Sequence, residues 1–259
     1  MGSQETGALE PTVKVAGLHV GFDGREVLHG LEAEFHRGRL AVILGRSGSG
    51  KTSFLRALNR LNECFPGSAT RGSVKLKLQG QWQDIYGNAA ALTELRRRVG
   101  MLFQTPHLLP GSIADNLALP GKLVLGWPRR EIAPRLEMAL KEAHLWEEVQ
   151  DRLEAPAHTL SGGQQQRLCL ARLLALEPEI LLVDEPTASL DFRASLKVEE
   201  LLVSLKDRYT IIAVSHSLSQ ARRLADQALI FREGTVVQNL GRENLQAPDT
   251  LQTLLEEIF

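Results

Sequence analysis

The sequence predicts an α/β fold built on a parallel sheet, and three observations carry that prediction. Residues 40–44 (LAVIL) are continuously apolar, as a central parallel strand covered on both faces must be, and they run through a glycine-rich stretch into an amphipathic segment. Two more short apolar runs, 180–183 and 210–214, alternate with helix-like segments. The length of 259 residues suits one large α/β domain, or a core with one insertion.

Taken in order, residues 1–12 (MGSQETGALEPT) read as a mobile tail. They hold two acidic groups and no apolar centre, so they are not read as a signal peptide. Residues 13–20 (VKVAGLHV) alternate like a half-buried strand. A turn at Asp23-Gly24 leads to a second β-like stretch over 31–35. After the strand at 40–44, a helix is expected from Lys51 to about Leu61, with Phe54, Leu55, Leu58 and Leu61 on one face. Val74, Leu76 and Leu78 alternate with polar residues as another half-exposed strand. Residues 92–98 (LTELRRR) suggest a short basic helix whose arginines form a solvated face.

Residues 106–157 change character to a mainly helical segment punctuated by Pro110, Pro120, Pro128 and Pro156. Ile132, Leu136, Ala139, Leu140 and Ala143 form its apolar stripe, read as core packing. The α/β alternation then resumes: helix 164–176, strand 180–183, helix 194–206, strand 210–214, and strands near Leu229 and Val236. A terminal helix over 246–259 carries Leu251, Leu254, Leu255 and Ile258. No internal repeat is visible.

The composition is that of an ordinary folded protein, 43% hydrophobic and 24% charged. Thirty basic residues against 31 acidic ones leave a formal charge of −1, so no global positive field attracts nucleic acid, and no such partner is expected. No apolar run approaches the roughly 18 residues that a membrane span requires. Cys64 and Cys169 lie far apart, form no metal-spaced pair, and are expected to be buried thiols.

Gly45-Arg46-Ser47-Gly48-Ser49-Gly50-Lys51-Thr52 fits GxxxxGK[ST], the phosphate-binding P-loop. Phosphate must approach the backbone closely, and glycines remove Cβ obstruction so that N–H groups can face the anion. The helix start, which includes Ser53, adds its positive dipole end. Lys51 supplies a point charge for the β- and γ-phosphates, and the Thr52 hydroxyl can ligate Mg²⁺. The strand 180–183 ends in Asp184 and Glu185, at the carboxyl edge where open α/β sheets bind ligands. Asp184 suits the magnesium shell. Glu185 is expected to orient or deprotonate the attacking water. Ser161-Gly162-Gly163 precede a helix and form a second anion-ready start, more than 100 residues after the first. One nucleotide pocket does not need both, unless the second serves another molecule's γ-phosphate.

With Leu160-Ser161-Gly162-Gly163-Gln164 (LSGGQ) the chain resembles the ATP-binding cassette family, whose supporting motifs occur here in the family's order. Gln104 looks like the Q-loop glutamine, at the reacting phosphate and its metal. Ser189-Leu190-Asp191 matches the D-loop, and His216 matches the switch histidine. Phe22 falls where the family places an adenine-stacking aromatic, usually tyrosine. The resemblance runs from about Thr12 to Leu240. Residues 58–63 (LNRLNE), 145–153 (LWEEVQDRL), 161–169 (SGGQQQRLC) and 205–212 (LKDRYTII) are similar to the branch that serves bacterial phosphate importers. Residues 118–129 are idiosyncratic, and the region after Leu240 matches loosely.

The resemblance implies an α/β P-loop NTPase (RecA-like) core with an N-terminal antiparallel β subdomain and an inserted α-helical subdomain. Its bounds would be 13–245 for the ATPase domain, with 13–104 and 165–245 forming the core and β subdomain and 105–164 the helical one. It implies ATP and Mg²⁺ as ligands and a homodimer formed on ATP binding. It also implies two transmembrane permease subunits facing residues 106–115, and a periplasmic or extracellular solute-binding protein acting indirectly. The chain would then sit peripherally on the cytoplasmic face of the plasma membrane. The alternatives are a cassette ATPase of DNA repair or translation, or an importer ATPase for another solute. Repair and translation relatives usually carry a second cassette, a coiled-coil insertion or a basic arm, and this chain shows none of them. A regulator without hydrolysis is disfavoured by the presence of both Glu185 and His216.

Overall fold

The computed structural model describes residues 10–87 and 91–247. Strands β1 (Pro11–Phe22), β2 (Arg25–His36), β4 (Ser68–Leu78) and β5 (Gln81–Asp84) form an antiparallel sheet in the order β2-β1-β4-β5. A second sheet holds β3 (Leu40–Gly45), β6 (Val99–Leu102), β7 (Ile180–Asp184), β8 (Thr210–Val214), β9 (Gln227–Arg232) and β10 (Thr235–Gly241). Its order is β10-β9-β3-β8-β7-β6. Five of these strands run parallel and β10 closes one edge antiparallel to β9.

The apolar run of β3 is explained by the layers on either side. Leu40, Val42 and Leu44 enter one buried cluster, while Ala41 and Ile43 enter the other. Strands β7 and β8 divide their side chains the same way, Leu181 and Val183 against Ile180 and Leu182, Ile211 and Ala213 against Ile212 and Val214. The first cluster joins the sheet to helices α3 (Ile113–Leu125), α4 (Arg129–Glu142), α6 (Gly162–Leu174), α7 (Phe192–Leu205) and α8 (Leu218–Leu224). The second joins it to α1 (Lys51–Leu58) and to the inner face of the antiparallel sheet, through Val13, Val15, Leu18 and Val20. Each central strand is thus buried on both faces.

Several expectations are corrected in detail. The first strand begins at Pro11, so Pro11 and Thr12 belong to the sheet and Thr12 is buried. Residues 1–9 of the expected tail lie outside the described residues. Helix α1 stops at Leu58, because Arg60 adopts a left-handed φ of 58° and a short 3₁₀ turn (Leu61–Cys64) follows. Pro120 does not punctuate the helical segment but lies within α3; Pro134 lies within α4. An interior proline costs about 3 kcal/mol. In α3 that cost is offset by the Ser112–Asp115 capping box and the burial of Ile113 and Leu117; in α4, by burial of Leu136, Ala139 and Leu140. A short α5 (Trp146–Val149) completes that segment.

The arginines of α2 (Leu92–Arg98) do not form a solvated face. Arg97 and Arg98 pair with Glu94, Arg98 also with Glu179, and Arg96 donates to the carbonyl of Arg60. Cys169 is buried as expected, but Cys64 is exposed. The chain leaves the sheet through α9 (Arg242–Gln246); of the terminal helix expected over 246–259, Gln246 instead ends α9, Ala247 is extended, and residues 248–259 lie outside the described residues. Among the described residues no helix is long and apolar enough to cross a membrane.

Candidate nucleotide site

The carboxyl ends of the parallel strands gather the residues that carry chemistry. Strand β3 delivers Gly45, whose φ is 153° and whose absent Cβ would lie 2.3 Å from the Phe231 carbonyl oxygen of β9 and 2.9 Å from Ser49 Oγ. Only glycine fits there. The loop Arg46–Ser47–Gly48–Ser49–Gly50 then turns into α1, which starts without a side-chain cap. The first-turn N–H groups, those of Lys51, Thr52 and Ser53, therefore face the loop mouth with no side-chain cap among the described residues. Lys51 is buried and folds back on the loop, its Nζ donating to the carbonyls of Gly45 and Arg46 at 2.8 Å each. Burial pushes its ammonium down from the ordinary lysine range, against the opposing charges of Glu185 and Asp184. Ser49 Oγ is buried without a hydrogen-bond partner among the described residues. An open amide turn, an orphaned hydroxyl and a desolvated cation form a cradle that a phosphate chain fits.

Two positions along the sheet from β3, with β8 between, β7 ends in Asp184. Its Oδ1 accepts the hydroxyl of Thr52 at 3.0 Å. Burial raises the Asp184 carboxyl, the Thr52 bond partly opposes this, and the charge of Glu185 adds to the rise. The two oxygens suit a small hard cation such as Mg²⁺. Glu185 follows with φ 44°, unusual for a non-glycine residue, and its N–H bonds the Val214 carbonyl of β8 at 3.2 Å. Its Oε1 meets Nε2 of His216, two residues past the end of β8. Two candidate catalytic side chains thus touch at the ends of neighbouring strands. Gln104 is exposed, two residues past the end of β6, the strand beside β7.

The second glycine-bearing helix start is α6. Ser161 caps it in a reciprocal box with Gln164, Ser161 N–H donating to Gln164 Oε1 at 3.0 Å and Gln164 N–H to Ser161 Oγ at 3.4 Å. Ser161 and Gly162 are exposed, whereas Gly163 is buried, and a Cβ there would lie 2.8 Å from the Ala194 Cβ of α7. Gly163 therefore has a packing duty in addition to any ligand. Gln164 also donates to Glu148 at 2.8 Å, and Arg167 and Lys197 meet the same carboxylate. Burial works against the charge on Glu148, but these partners outweigh it and hold its carboxyl at about 2.

Two predicted binding residues have other partners in the isolated chain. Asp191 caps α7, accepting the Ala194 N–H at 2.9 Å. Phe22, at the end of β1, stands edge-on to Phe65 with centroids 6.1 Å apart. Gln166 went unnoticed in the sequence. It is almost fully buried, and its Nε2 donates to the Phe103 carbonyl at 2.8 Å, tying α6 to the chain just before Gln104. A polar residue among the buried positions of α6 is the signal that marks it.

The P-loop turn, the carboxylate-tipped strand beside it and the sheet that aligns them define a P-loop nucleotide-binding protein of the α/β class. Residues 28–188 match the family described as "ABC transporter". The chain is 41% identical over 221 residues to Phosphate import ATP-binding protein PstB 1 of Enterococcus faecalis, covering 85% of this chain and 86% of that protein. It is 40% identical over 230 residues to PstB 2 of Lactobacillus acidophilus, covering 89% and 90%. Among solved structures it resembles CbiO1 of Clostridium perfringens, part of an ABC transporter complex, with TM-score 0.80, 26% identity and 95% of each chain covered. It also resembles a dimeric ATP-binding cassette bound to ADP and Pi, with TM-score 0.73, 28% identity, and 89% and 98% covered. The chain belongs to the ABC transporter family and is one of its ATP-binding ATPase chains.

Proposed function

We propose that this chain is the ATP-hydrolysing subunit of an importer, that it works as a homodimer beneath two transmembrane permease subunits, and that its solute is inorganic phosphate. The observation that carries hydrolysis is the Glu185–His216 contact, set on strand ends beside the Thr52–Asp184 pair. Lys51 and the amides of residues 45–53 bind the β- and γ-phosphates, and Phe22 lies at the adenine. Thr52, Asp184 and Gln104 hold magnesium, which when bound neutralises charge on the transferred phosphoryl group. Glu185 takes a proton from the attacking water, and His216 orients Glu185 and the γ-phosphate.

The helix start at Ser161–Gly163, with Gln164 and Asp191, closes over the ATP of the opposing chain. Two shared sites then form on closure, and hydrolysis removes the γ-phosphate that holds the halves together. Residues 105–164 act as the helical subdomain between 13–104 and 165–245, and pass the motion to the permeases. The chain sits at the cytoplasmic membrane face, and an external solute-binding protein supplies the cargo. Phosphate as cargo is supported by the similarity to PstB proteins of Enterococcus and Lactobacillus. Uptake of labelled phosphate by cells lacking this chain tests it. Wild-type chain should restore uptake and Glu185→Gln should not; undiminished phosphate uptake in the deletion strain would exclude phosphate as the cargo.

A further inference from the structure

Behind the Glu185–His216 contact lies a buried glutamine. Gln220, in the first turn of α8, is 7% exposed, and its side-chain amide is fully engaged. Nε2 donates to Thr187 Oγ1 and to Glu199 Oε1, each at 3.0 Å, while Oε1 accepts the hydroxyl of Ser215. Ser215 immediately precedes His216, and its oxygen also accepts the Ser217 N–H at 2.9 Å, so both flanks of His216 are held. Thr187 lies two residues past Glu185, in a turn closed by Ala188 N–H to the Glu185 carbonyl at 3.2 Å and Leu190 N–H to the Thr187 carbonyl at 3.1 Å. Glu199 is itself fixed by Arg223 through contacts of 2.9, 3.0 and 3.2 Å.

The chemistry of this position specifies an amide. It must accept from Ser215 while donating twice, to Thr187 and to a carboxylate. A glutamate would set two carboxylates face to face, and an apolar residue would remove both the donor to Thr187 and the acceptor of the buried Ser215 hydroxyl. We propose that Gln220 is a positioning residue for hydrolysis. By tying Ser215 to Thr187 it braces the two loops that carry His216 and Glu185, and so sets the separation of those side chains. The inference rests on the reading of Glu185 and His216 as the catalytic pair.

Q220M and T187V are near-isosteric changes that break the same bridge from opposite ends. Steady-state ATPase turnover and the affinity for a fluorescent ATP analogue should be measured on the full chain, with a melting curve for each variant. A displacement of about 1 Å at a reacting group costs up to roughly 10²-fold in rate. The expected result is a kcat lowered about tenfold or more in Q220M with nucleotide affinity within about twofold of wild type. T187V should fall in the same direction, and the double variant should be no slower than Q220M. Unchanged turnover in folded Q220M, losses that multiply in the double variant, or a fall in nucleotide affinity that matches the fall in rate would each overturn the proposal. If Q220M does not fold, T187V alone decides: normal turnover there refutes the bridge. E185Q measured in parallel separates the two readings. Full turnover in E185Q refutes the catalytic pair, whereas a dead E185Q beside a normal Q220M refutes only the role of Gln220.

Discussion

Thr52 donates its hydroxyl to Asp184 across 3.0 Å although 132 positions separate them in the chain. The bond fastens the first turn of α1 to the tip of β7, two elements that meet because β8 alone stands between β3 and β7 in the sheet. It also gives a buried carboxylate one of the partners it needs away from water. Both oxygens are hard donors, so the pair that braces the cradle is suited to share a divalent cation with ATP.

Lys51→Ala should abolish most nucleotide binding. Lys51 is the buried full positive charge of the loop, and its charge-assisted bonds to phosphate oxygens are worth more than neutral ones. Titration with a fluorescent ATP analogue measures this, and affinity equal to wild type would remove the assignment of the cradle.

Glu185→Gln keeps size and hydrogen bonding but removes the base. Turnover should fall by roughly 10²–10⁴-fold while ATP still binds. Light scattering should then detect a long-lived ATP-bound dimer. Normal hydrolysis in this variant would shift the catalytic role to another group, His216 first.

Ser161→Arg places a bulky cation at the exposed α6 start, far in sequence from the P-loop. The variant should bind ATP almost normally yet neither dimerise nor hydrolyse. Full ATPase activity in Ser161→Arg would exclude this helix start from the active site.

Gly163→Ala tests packing. The new Cβ would meet the Ala194 Cβ at 2.8 Å, so α6 and α7 must separate. Overpacking costs about 1–3 kcal/mol, and the better helix propensity of alanine returns up to about 1. A net loss of stability is expected, read as a lower urea midpoint with unchanged slope.

Acid stability should depend on Glu148. Its carboxyl is held at about 2 in the folded chain, below the ordinary glutamate value. A depressed carboxylate adds stability that is complete above the unfolded-state pKa of roughly 4.3 and disappears as pH falls through the folded value. Glu148→Gln should therefore be less stable than wild type near neutrality, and the gap should close as pH falls from about 5 towards 2. Melting temperatures across that range provide the check.

The P-loop turn, the carboxylate-tipped strand and the glycine-bearing approach to α6 were legible in the sequence, since each is a contiguous pattern, although α6 starts at Gly162, two residues earlier than expected, with Ser161 as its cap. A capping box needs its serine three residues before its glutamine, and a P-loop needs its glycines and lysine within eight positions. The same locality explains β3, β7 and β8, whose unbroken apolar runs record burial on both faces. Strand β6 was not predicted, because Val99-Gly100-Met101-Leu102 is too short and too mixed to stand out from its surroundings. Helix α8 was missed because its buried positions include Gln220, a polar residue whose partners come from elsewhere. Pro120 argued locally against a helix that distant contacts outweighed.

The sequence by itself determined which backbone turns carry the glycine spacing of an anion-binding loop and which strands must lie in the middle of a sheet, because spacing and hydrophobicity act over a few residues. Only the tertiary structure decided that Glu148 would gather Gln164, Arg167 and Lys197, that Phe22 would meet Phe65, and that Gln220 would join the loops of Glu185 and His216. A buried polar group must find a partner, but nothing in its neighbours along the chain names which one; the fold supplies it by bringing distant segments together.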